Sequence, residues 1–192
     1  MKWIIRNERE AEILVARSKE ESLYKVNLNY LRKLHTRVKE DSSGKALELL
    51  ATYLFSCVDG FEPVFRKKTQ AFHFDVVIRN LTRDHPLLKG LGDYIGVECK
   101  DIDKSLSGEE LNHFIQRLRL CNMKCGIVFT NRGISGIKYK KTKQYGKLIQ
   151  VKAFNRDGIA VFDMTQSDLK RILDGENLLS LLLSKYEDIR FT

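Results

Sequence analysis

Proline is almost absent from this 192-residue chain. It occurs twice, and no Gly/Ser-rich tract accompanies it, so a long flexible linker between folded parts is excluded. No internal repeat and no low-complexity segment occurs, which sets aside solenoid and array architectures. No apolar run approaches the length of a bilayer span, so no membrane association is expected. The opening MKWIIRNEREAEILVARSKEES interrupts its apolar residues with charge and offers no small-residue cleavage site, so no signal peptide is expected. The four cysteines, at 57, 99, 121 and 125, form no CxxC pair. Cys121 and Cys125 are four apart with His113 ahead of them, but no second metal-type pair follows, which favours core cysteines over a zinc site. Free thiols suit a reducing cytosol, and a cytoplasmic location is the expectation. No zinc-finger or helix-turn-helix spacing is present, so base-specific reading is not legible.

What is present supports a packed domain. Hydrophobic residues make up 43% and charged residues 31%, a balance that argues against wholesale disorder. Lysine and arginine outnumber the acids to leave a net charge of +9 and a pI of about 9.4. That excess favours a polyanionic partner, most often nucleic acid, over a merely soluble basic protein.

The pattern along the chain alternates helix and strand. From about Glu8 to Lys39, apolar residues recur at three- and four-residue steps, predicting one or two flanking helices that pack on the domain, dimerise or meet a partner. GKALELLATYLFSCV is a second helix with a wide apolar face, closed by Asp59-Gly60. FEPVF and AFHFDVVI read as strand-like pieces, with Phe72, Phe74 and Val76 expected on one face and Asp75 and Val77 on the other. LTRDHPLLKGLGD reads as a loop. YIGVECK is the next strand, and SGEELNHFIQRLRLCNMKCG a helix with Ser107 as N-cap and Glu110 completing a capping box. GIVFT and GIAVFDM are further strands, the first followed by a basic stretch, and amphipathic helices close the chain. A helix between two apolar strands implies a parallel crossover, hence an α/β sheet with helices on both faces.

YIGVECK ends unlike a buried strand. Residues i and i+2 share a face, so Glu98 and Lys100 point together while Cys99 faces the opposite layer. Asp75 interrupts a neighbouring β run. If the two strands pair, Asp75 and Glu98 converge at one edge of the sheet. Two close carboxylates repel unless a cation lies between them, and a hard divalent ion such as Mg²⁺ accepts such oxygens. That arrangement, with a lysine beside it, suits metal-assisted phosphodiester hydrolysis. A same-face surface ion pair at an edge strand, with Asp75 merely beginning a turn, is the plainer alternative.

Together GKALELLATYLF, FDVVI, VECK, ELNHFIQRL, GIVFTNRGIS and DGIAVFDMTQSDL resemble the PD-(D/E)XK nuclease superfamily, most closely its Mrr-like restriction endonuclease domain. The resemblance spans about Gly44 to Leu173, with Thr130 and Gly133-Ile134-Ser135 in the place of that domain's strand-end Thr and Gly-Φ-Ser turn. Phe74 stands where the superfamily's marker proline would be, and the Leu81–Asp93 connection is longer than a tight hairpin. The resemblance implies a restriction-endonuclease-like central mixed sheet flanked by helices, with residues 1–43 as an N-terminal helical extension and 44–192 as the nuclease domain. It implies that Asp75 and Glu98 hold Mg²⁺, with Mn²⁺ as an alternative, and that the Cys99 carbonyl is a further ligand. Lys100 then positions or activates the attacking water and stabilises the pentavalent phosphorus. Glu48 touches a second metal or a metal-bound water, and Gln116 faces the site.

The implied activity is a divalent-metal-dependent endonuclease acting on DNA, double-stranded DNA first, in restriction or defence. The rival expectations are a non-catalytic nucleic-acid-binding or assembly module on the same fold, and a repair or junction-resolving nuclease. Lys138, Lys140, Lys141, Lys143 and Lys147, interleaved with Tyr139 and Tyr145, form a candidate phosphate-binding stretch, and Arg66, Lys67 and Lys68 a second. Solvated basic faces are the alternative for both. His73, two residues before Asp75, is expected to be structural. A homodimer through the N-terminal helices or the Leu178–Leu183 run fits double-strand cleavage.

Overall fold

The computed structural model describes residues 23–41, 43–65, 73–82, 85–100, 105–135 and 146–191. Its centre is a five-stranded mixed sheet in the order β1 (Phe61–Phe65), β2 (Val76–Asn80), β3 (Tyr94–Lys100), β4 (Cys125–Thr130) and β5 (Ala160–Met164). The first three strands form an antiparallel meander, and β3, β4 and β5 run parallel. Helices cover both faces, so the chain is α/β.

One face packs beneath α1 (Leu28–Glu40) and α2 (Lys45–Ser56), with α6 (Gln166–Leu173) and α7 (Leu178–Arg190) beside them. Val76, Ile78, Ile95, Val97, Ile127 and Phe162 supply the sheet side of this core, and Leu50, Leu54 and Phe55 the α2 side. Leu31 and Leu34 of α1 belong to the same core, and the Tyr53 hydroxyl donates to the Asn27 carbonyl at the start of α1. The described part of the N-terminal segment therefore packs on the sheet domain; residues 1–22 lie outside the described residues.

The long β2–β3 connection, read from the sequence as a loop, contains a one-turn helix, α3 (Pro86–Gly90). Its Leu88 and the following Leu91 are fully buried in the first core. Asn80 pins it from the end of β2, its amide donating to the carbonyls of Leu88 at 2.6 Å and Gly92 at 2.9 Å.

The opposite face carries the two parallel crossovers, α4 (Gly108–Leu120) and α5 (Gly146–Asp157). Ser107 and Glu110 form the capping box that starts α4, each accepting from the other's backbone N–H. Leu111, Phe114, Ile115 and Leu118 of α4 pack on Val77, Val128 and Val161. Two strand glycines let this helix sit close. A β-carbon at Gly96 would lie 2.8 Å from Leu118 Cδ2, and one at Gly126 2.5 Å from Leu118 Cδ1 and 2.6 Å from Phe114. Any larger residue there would lift α4 off the sheet.

The alternation of helix and strand places a helix between GIVFT and GIAVFDM, and α5 is that helix, though the sequence did not mark its bounds. Its buried positions are Gly146, Gln150 and Ala153, small or polar, so no apolar stripe marks it. Gln150 is held by a hydrogen bond to the Val161 carbonyl of β5. Among the described residues no helix is long and apolar enough to cross a membrane.

Candidate active site

Asp75 sits at a bend immediately before β2. Its N–H donates to the Val97 carbonyl at 3.1 Å, and the register Val76↔Val97 places it across from Glu98. Strand alternation does not hold here as the sequence implied. Phe74 turns into the second core with Val77, while Val76 enters the first. The bend frees the Asp75 carboxylate to reach the β3 backbone, where Oδ2 accepts from the Cys99 N–H at 2.7 Å.

Glu98 and Lys100 share the α4 face of β3, as alternation requires. Lys100 Nζ lies 3.1 Å from Glu98 Oε1, with the lysine side chain 39% exposed and the glutamate 11%. The other oxygen, Oε2, faces Arg117 of α4, whose Nη2 stands 3.0 Å away. That pair is electrostatic only: Oε2 is buried and accepts no hydrogen bond. His73 Nδ1 lies 3.7 Å from Asp75 Oδ1 and its ring is half exposed.

The cluster is acid-rich and only partly neutralised. Burial pushes the Asp75 carboxyl above its ordinary value; the Cys99 amide works against this, while Glu98 and Glu48 raise it further. Glu48, in the first turn of α2, therefore brings its charge to bear on Asp75 from the other side of the sheet edge. Burial and the same three acids push the Cys99 thiol well up, so it is a neutral packing group rather than a nucleophile.

The donor types are those a hard divalent cation accepts: two carboxylates across paired strands, one of them with a buried oxygen that accepts no hydrogen bond. Among the described residues, however, no three His, Cys, Asp or Glu side chains are grouped closely enough to hold an ion. Asp75 and Glu98 would be the protein's side-chain ligands, with water and backbone completing the shell. Of Cys99, the structure shows the amide engaged with Asp75.

The other sequence-predicted residues fall elsewhere. Gln116 is exposed on α4 and accepts from Arg119 at 2.8 Å; the residue of that helix that reaches the carboxylates is its neighbour Arg117. The reason is geometric, since Arg117 lies three residues after Phe114 and one before Leu118, on the border of the sheet-facing side. That spacing was the available signal for it. Lys147, placed with the basic stretch, lies 3.7 Å from Asp163 instead. Arg66, Lys67, Lys68, Lys138, Lys140, Lys141 and Lys143 lie outside the described residues.

A cleft of about 390 Å³ opens between α1 and the ends of β4 and β5, lined among others by His35, Lys39, Thr130, Asn131 and Gln166. Thr130 is the register partner of Lys100, but neither Asp75 nor Glu98 lines the cleft. The Thr130 hydroxyl is buried with no hydrogen-bond partner.

No family model matches the chain, and no curated protein matches it. Among solved structures it is similar to the DNA modification-dependent restriction endonuclease AspBHI, with a TM-score of 0.46 and 14% identity over 99% of this chain. The matched region is 44% of that structure's chain, so this chain spans less than half of its length.

Proposed function

We propose that this protein is a divalent-metal-dependent nuclease that hydrolyses phosphodiester bonds of DNA. One observation carries the proposal: Asp75 and Glu98 stand across from each other on paired strands, with Lys100 on Glu98.

The residues divide the work as follows. Asp75, held by the Cys99 amide, and Glu98, held between Lys100 and Arg117, would be the two side-chain carboxylates offered to a cation at the sheet edge. A Mg²⁺ or Mn²⁺ ion bound there would lower the pKa of its water and neutralise charge on the phosphoryl group. Lys100, more than a third exposed, reaches solvent and can hold the attacking water or a phosphoryl oxygen. Glu48 adds charge next to Asp75 and supports a cation or its water shell. The net charge of +9 gives sequence-independent attraction to a DNA backbone, with the lysines at 67, 68, 138, 140, 141 and 143 as its proposed contacts. A role in restriction or defence follows from the sequence resemblance, as does the dimer that cutting both strands requires.

One observation favours a second reading. The absence of a three-ligand group among the described residues is what a binding module that has lost catalysis would show. Plasmid DNA incubated with Mg²⁺ or Mn²⁺ separates the two. We expect nicking or linearisation by the wild type, and a loss of about 10²–10⁴-fold in Lys100→Ala and Asp75→Ala with DNA binding retained. Intact DNA with all three proteins, still bound, decides for the binding module.

A further inference from the structure

Arg117 is the best-anchored cation near the carboxylates and carries no role in the reading above beyond holding Glu98. Its Nη1 donates to the His73 carbonyl at 2.7 Å, tying α4 to the segment that leads into Asp75. Its guanidinium lies 5.5 Å from the Phe74 ring centre and 5.4 Å from that of Phe114. These contacts satisfy and orient the group without Glu98. Toward Glu98 it offers charge alone, 3.0 Å from an oxygen that accepts no hydrogen bond.

That asymmetry has a consequence. Glu98 is buried, Asp75 stands across from it, and Glu48 adds a third negative charge. Buried like charges are costly unless a positive charge is near. Lys100 serves one oxygen of Glu98, and Arg117 serves the other. A guanidinium cannot relieve the cluster by losing its proton, nor does it need Glu98 to keep its own hydrogen bonds.

We propose that Arg117 is a built-in counter-charge for the divalent-cation site: its guanidinium, 3.0 Å from Glu98 Oε2, competes with a cation for the charge of that carboxylate. The proposal rests on the metal half of the nuclease reading. It makes Arg117 a positioning residue with two opposed effects. It stabilises the cation-free protein, and it weakens the apparent affinity for the cation, because part of the binding energy goes into displacing it.

The test is made without DNA, on the full chain. Arg117→Met keeps an apolar stem against Phe74 and Phe114 and removes the charge; Arg117→Lys keeps the charge. Mn²⁺ binding is measured by calorimetry, together with the melting temperature with and without Mn²⁺. We expect Arg117→Met to melt lower than wild type without the ion, to gain more from Mn²⁺, and to bind it about tenfold more tightly. Arg117→Lys should stay near wild type. In a Glu98→Gln background, the Arg117→Met drop without the ion should shrink to what the lost His73 hydrogen bond and ring contacts cost, because the charge it balances is gone. Unchanged or weaker Mn²⁺ affinity in Arg117→Met overturns the proposal. Should that variant fail to fold, Arg117→Gln, neutral but still a donor toward His73, carries the same comparison. The two readings fail separately. Active wild type with unchanged affinity in Arg117→Met sinks only the counter-charge. Tightened binding with no cleavage by any variant sinks only the nuclease. No Mn²⁺ binding by any variant sinks the counter-charge together with the metal.

Discussion

Asp75 and Asp163 look alike in sequence, each a lone carboxylate in an apolar β run, FHFDVV and AVFDMT. Both end up little exposed beside the sheet, and they are treated in opposite ways. Burial alone would push Asp163 up, but Lys185 at 3.4 Å, Lys147 at 3.7 Å and the Ile134 N–H at 3.0 Å hold its carboxyl below the ordinary value. Lys185 also reaches Asp168 at 2.9 Å, and Asp168 caps α6 by accepting from the Thr165 N–H. That network locks α7 and α6 to the end of β5. Asp75 receives one amide, has His73 at 3.7 Å and faces two further acids, and burial raises its carboxyl. A buried aspartate is a structural tie where cations close around it and a candidate site where they stop short.

Two substitutions probe that contrast, taken from the larger effect to the smaller. Lys185→Met leaves Asp163 and Asp168 facing each other with a partner gone. We expect it to cost about 3 kcal/mol in urea unfolding at neutral pH, the scale for breaking a buried pair. Asp163 has a lowered folded value, so the network's contribution is present above the usual carboxylate range. It is lost as pH falls through that lowered value, and the penalty of Lys185→Met should shrink there.

Asp75→Asn should do the reverse. An amide can still accept from the Cys99 N–H, and it removes a charge that Glu98 and Glu48 repel. Because the Asp75 carboxyl is raised in the folded protein, its ionised form costs stability once pH has passed through the ordinary carboxylate range and up through the raised value. The variant should therefore gain on the order of 1 kcal/mol at pH 7 and little at pH 4, while losing cleavage. Loss of stability at pH 7 would mark Asp75 as a structural tie like Asp163.

Much of this was legible in the sequence, and the reasons are local. The period of two in YIGVECK places Glu98 and Lys100 together whatever the fold does, and the Ser107–Glu110 spacing announces α4. The bend at Asp75 was not legible, since strand alternation assumes a straight strand and only tertiary packing shows Phe74 turning into the second core. The bounds of α5 were hidden because Gln150 and Ala153, not large apolar residues, face inward. Leu88 and Leu91 looked like loop residues because a five-residue helix has too little length to show a period. Asp163 gave no sign of its partners: Lys185 lies 22 residues away on α7 and meets it only through the fold.

The account stands on Asp75 and Asp163 being different kinds of carboxylate, and cation binding measures that directly. Mn²⁺ is titrated by calorimetry into wild type, Asp75→Asn and Asp163→Asn, each below its melting temperature. We predict saturable binding to wild type and to Asp163→Asn, and none to Asp75→Asn. Binding that survives Asp75→Asn, or that is absent from the wild type, contradicts the account.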